Sequence, residues 1–173
     1  MEYNSIKNDQ VTFSISLMGD FFSEYKNIIV FLHVISAVIW VGGMIATRFA
    51  THYALAELEG SVKLARTAHV LKNLFKIVVP FVAILIITAL IMAIAMDLHH
   101  SDMKVVVMIK ESIWTIMSIS LAVMIFRRSR AQRYIDSGDF ALAKGQLEII
   151  GKIMVPINIV LGIIAIYLGV TLS

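Results

Sequence analysis

Of the five histidines in the chain, His33 is the one set inside an apolar run, Phe31-Leu-His-Val-Ile-Ser-Ala-Val-Ile-Trp-Val-Gly-Gly-Met44. An ionisable ring in a segment of membrane length is expensive to bury, so by default it marks a functional site. Its chemistry is that of imidazole, metal ligation or proton transfer. At 100° per residue His33, Ser36, Ala37, Trp40, Met44 and Thr47 share one helical face, which should look into a bundle while Val34, Ile35, Val38, Ile39, Val41 and Ile45 meet lipid.

A second group lies in Met96-Asp-Leu-His-His-Ser-Asp-Met103. His99, His100 and Met103 there form a donor set able to hold a soft or borderline metal such as copper, or else a polar loop that happens to be rich in histidine. A third pair is placed by hairpin geometry. His52 is eight positions before Gly60 and His69 nine after it, so in an antiparallel helix pair the two rings stand at nearly the same height. They either share an ion or point into water from different faces.

The costliest residues are Lys110 and Glu111, embedded in an apolar run where each central charge costs roughly 2.5–3.5 kcal/mol on insertion scales. Lys104, Glu111, Thr115, Ser118 and Ala122 share a helical face expected to turn inward, with Glu111 a candidate proton-transfer group. Lys104 and Lys110 either serve a site or snorkel to headgroups. His33 and Lys110 each sit about seven residues into their runs, roughly 10 Å deep at 1.5 Å per residue, so they share a layer.

The elements that must position these groups are membrane helices. The chain is 59% hydrophobic and 16% charged, with mean hydropathy +0.86, against an apolar share of about 45–50% in soluble domains. Besides the His33 run, Ile77–Met96, Val105–Phe126 and Ile153–Leu172 each reach the roughly 20 residues needed to cross a bilayer. The predicted fold is an all-α integral membrane protein, a four-helix bundle spanning residues 26–173, preceded by a polar segment, residues 1–25. In that segment Phe13, Leu17 and Phe21 suit a short interfacial helix. Some two dozen mostly polar residues before the first run argue against a cleaved signal.

Cations sort by loop. Arg48, Lys63, Arg66, Lys72 and Lys76 lie between the first two spans, and Arg127, Arg128, Arg130, Arg133, Lys144 and Lys152 between the last two, while the middle loop has none. The positive-inside rule then puts both basic connections in the cytoplasm and both termini outside. Helix formers continue past the first span to Glu59, with Gly60 expected as a stop and Ser61 as the next N-cap. The third helix should overrun to Ser137-Gly138-Asp139, so two helical hairpins extend into the cytoplasm. In the last helix Gly151, Val155, Asn158, Gly162, Ala165 and Gly169 form a small-residue stripe for close packing, and Pro156 should kink it.

Several classes are excluded. Without cysteine there are no disulfides, thiolate sites or cysteine nucleophiles. No phosphate loop, nucleophile–base pair or zinc-protease motif occurs, and the basic clusters are accounted for by topology rather than nucleic acid.

Leu32-His33, Trp40, Gly43, Arg48 and Phe49-Ala-Thr-His52 together resemble the opening of the bacterial HemJ-type membrane protoporphyrinogen oxidases and of the related copper-resistance protein D (CopD) family. Leu74 to Pro80, Lys104 before an aliphatic run, and Val155-Pro156 extend the likeness along the chain. The resemblance implies haem b in the bundle of a bacterial inner-membrane protein, with His33 and Lys104 at the matching positions, and an oxidoreductase activity. The HemJ-type third-helix Tyr-His pair is Trp114-Thr115 here, and the Asn-Glu before the last proline is Met154-Val155. On the haem reading His33 is an axial ligand and Trp40, Lys110, Trp114 and Met117 line its surroundings. The alternatives are a copper-handling protein, taking the ion at His99, His100 and Met103, or a small structural subunit. The expected partners are the bilayer and a second copy or another membrane subunit.

Overall fold

The computed structural model describes residues 2–96 and 104–171, with backbone alone for residues 2–15 and for His52. Among them there is no strand. Helix α1 (Glu2–Ala46) passes into a π-helical turn, Thr47–Thr51, and the short α2 (His52–Ala54). Then come α3 (Gly60–Ala95), α4 (Lys104–Asp136), α5 (Phe140–Ile149), a second π-helical turn at Ile150–Met154, and α6 (Val155–Val170). Four stretches, Ser16–Thr51, Gly60–Ala95, Lys104–Asp136 and Phe140–Val170, are long and apolar enough to cross a membrane, the architecture of a multi-pass membrane protein.

Helix α1 bends at Tyr25, whose backbone (φ −107°, ψ 15°) leaves helical geometry. Below the bend, the face expected to turn inward does so, with Ser36, Trp40 and Met44 buried and Val34 and Val38 exposed, but Val41, expected to meet lipid, is buried too, because α6 approaches it closely at Gly162. Helix α1 packs along α3, α4 along α5 and α6, and the two pairs meet through α1 with α6 and α3 with α4. At the end carrying both tight turns, Arg128 Nε donates to the Ala68 carbonyl at 2.9 Å and Arg127 Nη1 to Gln146 Oε1 at 3.0 Å. Both turns therefore lie at one end, and it is the basic one.

Three local expectations are corrected. Gly60 is the first residue of α3 and not a stop for the preceding helix, and the N-cap is Glu59 (φ −58°, ψ 153°) and not Ser61. The helix leaving α1 ends sooner than its composition suggests, in overlapping turns closed by Ala56 N–H to Tyr53 O and Leu58 N–H to Leu55 O. Helix α4 is rotated relative to expectation, as described with the site below.

At the second turn, Gly138 has φ +82°. Asp139 N–H donates to Tyr134 O at 2.8 Å and Gly138 N–H to Ile135 O at 3.1 Å, the Schellman pattern that needs a left-handed residue. Pro156 produces no break. The helix runs on through Pro156 from α5 to α6, and the π-helical turn Ile150–Met154 directly before it is where the hydrogen-bond ladder adjusts to a residue without an N–H.

Close approach of helices is built by glycine. A Cβ on Gly162 would stand 2.5 Å from Val41 Cγ2 and 3.3 Å from Met117 Cε, so α1, α4 and α6 converge there. One turn away Asn158, fully buried, donates from Nδ2 to Ser120 Oγ at 2.6 Å and to Met154 O at 2.8 Å, which ties α6 to α4.

Candidate functional site

His33 is carried by α1 into the layer where α3 presents Thr88. Thr88 is buried, and its hydroxyl points to the carbonyls of Ile84 at 2.8 Å and Leu85 at 3.0 Å. Its single proton is thus committed to its own backbone, as is usual for a hydroxyl in an apolar helix. His33 Nδ1 lies 3.0 Å from the same oxygen, so Nδ1–H donates and Thr88 Oγ1 accepts. The tautomer follows from this network: Nδ1 carries the proton and Nε2 keeps its lone pair. Ser36, one turn on, is fully buried with its hydroxyl bonded to Leu32 O at 2.6 Å, so it leaves the ring's surroundings without a further donor of its own.

Lys110 enters from α4 at a matching depth, 29 positions before Asp139 against 27 before Gly60 for His33. Its tail crosses to α6 at Gly169, where an added Cβ would meet Lys110 Nζ at 3.2 Å. The glycine leaves the space that the lysine occupies. Lys110 is half-buried and directed inward, while Lys104, at the start of α4, is exposed.

The inward face of α4 differs from the one expected from its polar residues. Val107, Ile113, Met117, Leu121, Met124 and Ala131 are buried, whereas Lys104, Thr115 and Ala122 are exposed. Glu111, Ser112 and Thr115 line a shallow groove on the outer side of the helix with Met108 and Ile116. The apolar spacing of three and four through Ile113, Met117, Leu121 and Met124 decides the rotation, because packing against three neighbours outweighs the placement of a few hydroxyls. The hydroxyls manage without neighbours, since Ser112 and Thr115 bond back to the carbonyls of Met108 and Glu111 at 2.9 and 2.8 Å. Glu111, half-buried, thus lines that groove rather than the buried apolar face of α4.

Trp40 is 2% exposed, and its indole Nε1 has no hydrogen-bond partner among the described residues; Trp114 is half-buried. Met117 is buried beside Gly162. His69 is exposed on α3. The loop with His99, His100 and Met103, and the side chain of His52, lie outside the described residues. Among the described residues no group of three or more His, Asp or Glu side chains is placed to hold a metal.

Two members of the layer are not assigned to it by the sequence: Thr88, and Gly169, which is expected there only as part of the small-residue stripe. The hairpin rule applied to His52 and His69 also finds Thr88, since His33 is 27 positions before Gly60 and Thr88 28 after it. About the second turn, Lys110 is 29 positions before Asp139 and Gly169 30 after. Compared with models of protein families, with curated proteins and with solved structures, the chain matches none.

Proposed function

We propose that the chain is a haem-binding redox protein of a bacterial inner membrane, of the HemJ and CopD type, with His33 as an axial ligand. The observation that supports it most is the anchoring of His33 by Thr88. Ligating histidines characteristically donate their second ring N–H to a fixed acceptor, which sets the tautomer and the ring's orientation. Here that acceptor is a threonine whose own proton is spent, so Nε2 is left as a lone-pair donor in a layer without other imidazoles among the described side chains. On this reading His33 would ligate haem b, and Lys110 would pair with a carboxylate of the group. Haem supplies one-electron transfer; the protein's part is ligand identity, burial and nearby charge, which set the potential.

An absorption spectrum of the purified protein after addition of haem b tests the reading, the expected result being a Soret band that survives gel filtration. In Thr88→Val, which keeps shape but removes the acceptor, haem affinity should fall roughly 10–100-fold, the usual cost of losing the group that orients a ligand. No retained band in the parent protein would overturn the proposal, and equal affinity in the variant would remove its structural support.

We place the basic end of the bundle in the cytoplasm, since both tight turns and the cations of both hairpins gather there. Reporter fusions should therefore read cytoplasmic at Gly60 and Gly138 and external at Ser101. An external reading at either glycine reverses the topology.

A further inference from the structure

The two π-helical turns of this chain face the same cleft. At the basic end a cavity of about 90 Å³ lies between them, with Thr47, Arg48 and Thr51 from the first turn, Gly151 from the second, and Lys63 and Thr67 from α3. Single π-helical turns are rare and gather at functional sites, and here two of them border one space. Two cations and no carboxylate line it, together with five aliphatic side chains, Leu55, Val70, Leu71, Leu147 and Val155. Among the described residues the Arg48 guanidinium has no hydrogen-bond or ion-pair partner, and Lys63 Nζ reaches only the Ala56 carbonyl, at 3.4 Å.

The hydroxyls add a second signal. Thr67, Thr88 and Thr115 each bond back to the carbonyl four residues earlier, at 2.8 Å in every case. Thr47 and Thr51, one turn apart on the cleft wall, make no such bond among the described residues, so their O–H groups are available to an acceptor. Arg48, Lys63, Thr47 and Thr51 together present donors and positive charge to one small volume, the arrangement that holds a tetrahedral oxyanion. The space, about 90 Å³, accommodates a group of the size of phosphate. Arg48 is 15 residues beyond His33, about 22 Å along the helix axis, so this cleft is separate from the His33 layer.

We infer that the cleft is a binding site for a phosphate group, held by Arg48 and Lys63 with Thr47 and Thr51 as hydroxyl donors. At the level where the basic end of the bundle leaves the apolar span, that chemistry has two sources, the headgroup of an anionic phospholipid and free inorganic phosphate.

The test is thermal stability of the full-length protein in nanodiscs and in detergent. One arm adds inorganic phosphate against chloride at matched ionic strength, and the other compares phosphatidylcholine discs with discs containing phosphatidic acid. A rise in Tm in the first arm identifies free phosphate, and a rise in the second alone identifies a lipid headgroup. In either case Arg48→Gln should weaken the half-saturating concentration at least tenfold, and the near-isosteric pair Thr47→Val with Thr51→Val several-fold. Arg66→Gln, an exposed cation of the same end, should leave it unchanged. No stabilisation in both arms overturns the site, as does an equal response in Arg48→Gln and in the threonine double variant; if Arg48→Gln does not fold, the threonine variant decides alone.

Discussion

His33→Ala is expected to abolish the Soret absorbance that the parent protein acquires with haem b. The size of the effect follows from what the ring alone supplies. His33 is the imidazole whose Nδ1–H is fixed by Thr88 Oγ1 at 3.0 Å, and its Nε2 is the lone pair presented to the layer that Lys110 shares. His69 is exposed at the basic end, 17 residues from His52 around the turn, and cannot substitute at that depth. Loss of an orienting partner costs roughly 10–100-fold in affinity, so loss of the ligand should exceed the upper end of that range. The fold should survive, since the substitution removes one hydrogen bond of about 1 kcal/mol and leaves Thr88 bonded to its own helix. Circular dichroism and Tm near those of the parent, together with lost absorbance, are the expected pair of readings, and His69→Ala should show neither change. A full Soret band in a folded His33→Ala protein would end the ligand assignment.

What could be read from the sequence was depth, and what could not was rotation. Four spans, two turns and the inward face of α1 follow from apolar runs and from spacing alone, and antiparallel pairing converts position into height. That is why His33 with Thr88 and Lys110 with Gly169 can both be recovered by counting from Gly60 and Asp139. Azimuth depends on which of two competing stripes a neighbouring helix accepts. In α4 the polar stripe through Glu111 and Thr115 invited an inward assignment, but hydroxyls that bond to their own backbone exert little demand for a partner. The apolar stripe through Val107, Met117 and Leu121 had a whole bundle to pack against. The π-helical turns were beyond reach for a related reason. Thr47–Thr51 carries no proline or glycine to announce it, and at Pro156 the sequence predicts a missing donor but not whether a kink or a wider turn accommodates it.

Gly162→Ala is expected to destabilise the bundle by roughly 1–3 kcal/mol, the usual cost of forcing extra volume into a packed interior. The new Cβ would lie 2.5 Å from Val41 Cγ2 and 3.3 Å from Met117 Cε, so α1 must retreat from α6 or Val41 must change rotamer. In a bilayer the water-driven part of helix association is absent, and close van der Waals contact carries more of the load; a forced retreat therefore sacrifices contacts along the whole α1–α6 seam. It also disturbs the site, because Gly169, two turns along α6, sets the space for Lys110. Gly145→Ala is the matched control. Nothing lies within 4 Å of a Cβ there, and replacing glycine inside α5 should stabilise by up to about 1 kcal/mol. Val41→Ala removes the methyl groups that clash, so the double variant Gly162→Ala with Val41→Ala should be more stable than the sum of the single effects predicts, with a coupling of roughly 0.5–3 kcal/mol. Unfolding in mixed micelles followed by circular dichroism measures the parent and all four variants. Strict additivity of the two substitutions would show that Val41 and Gly162 do not set each other's position, and that the α1–α6 approach is held elsewhere.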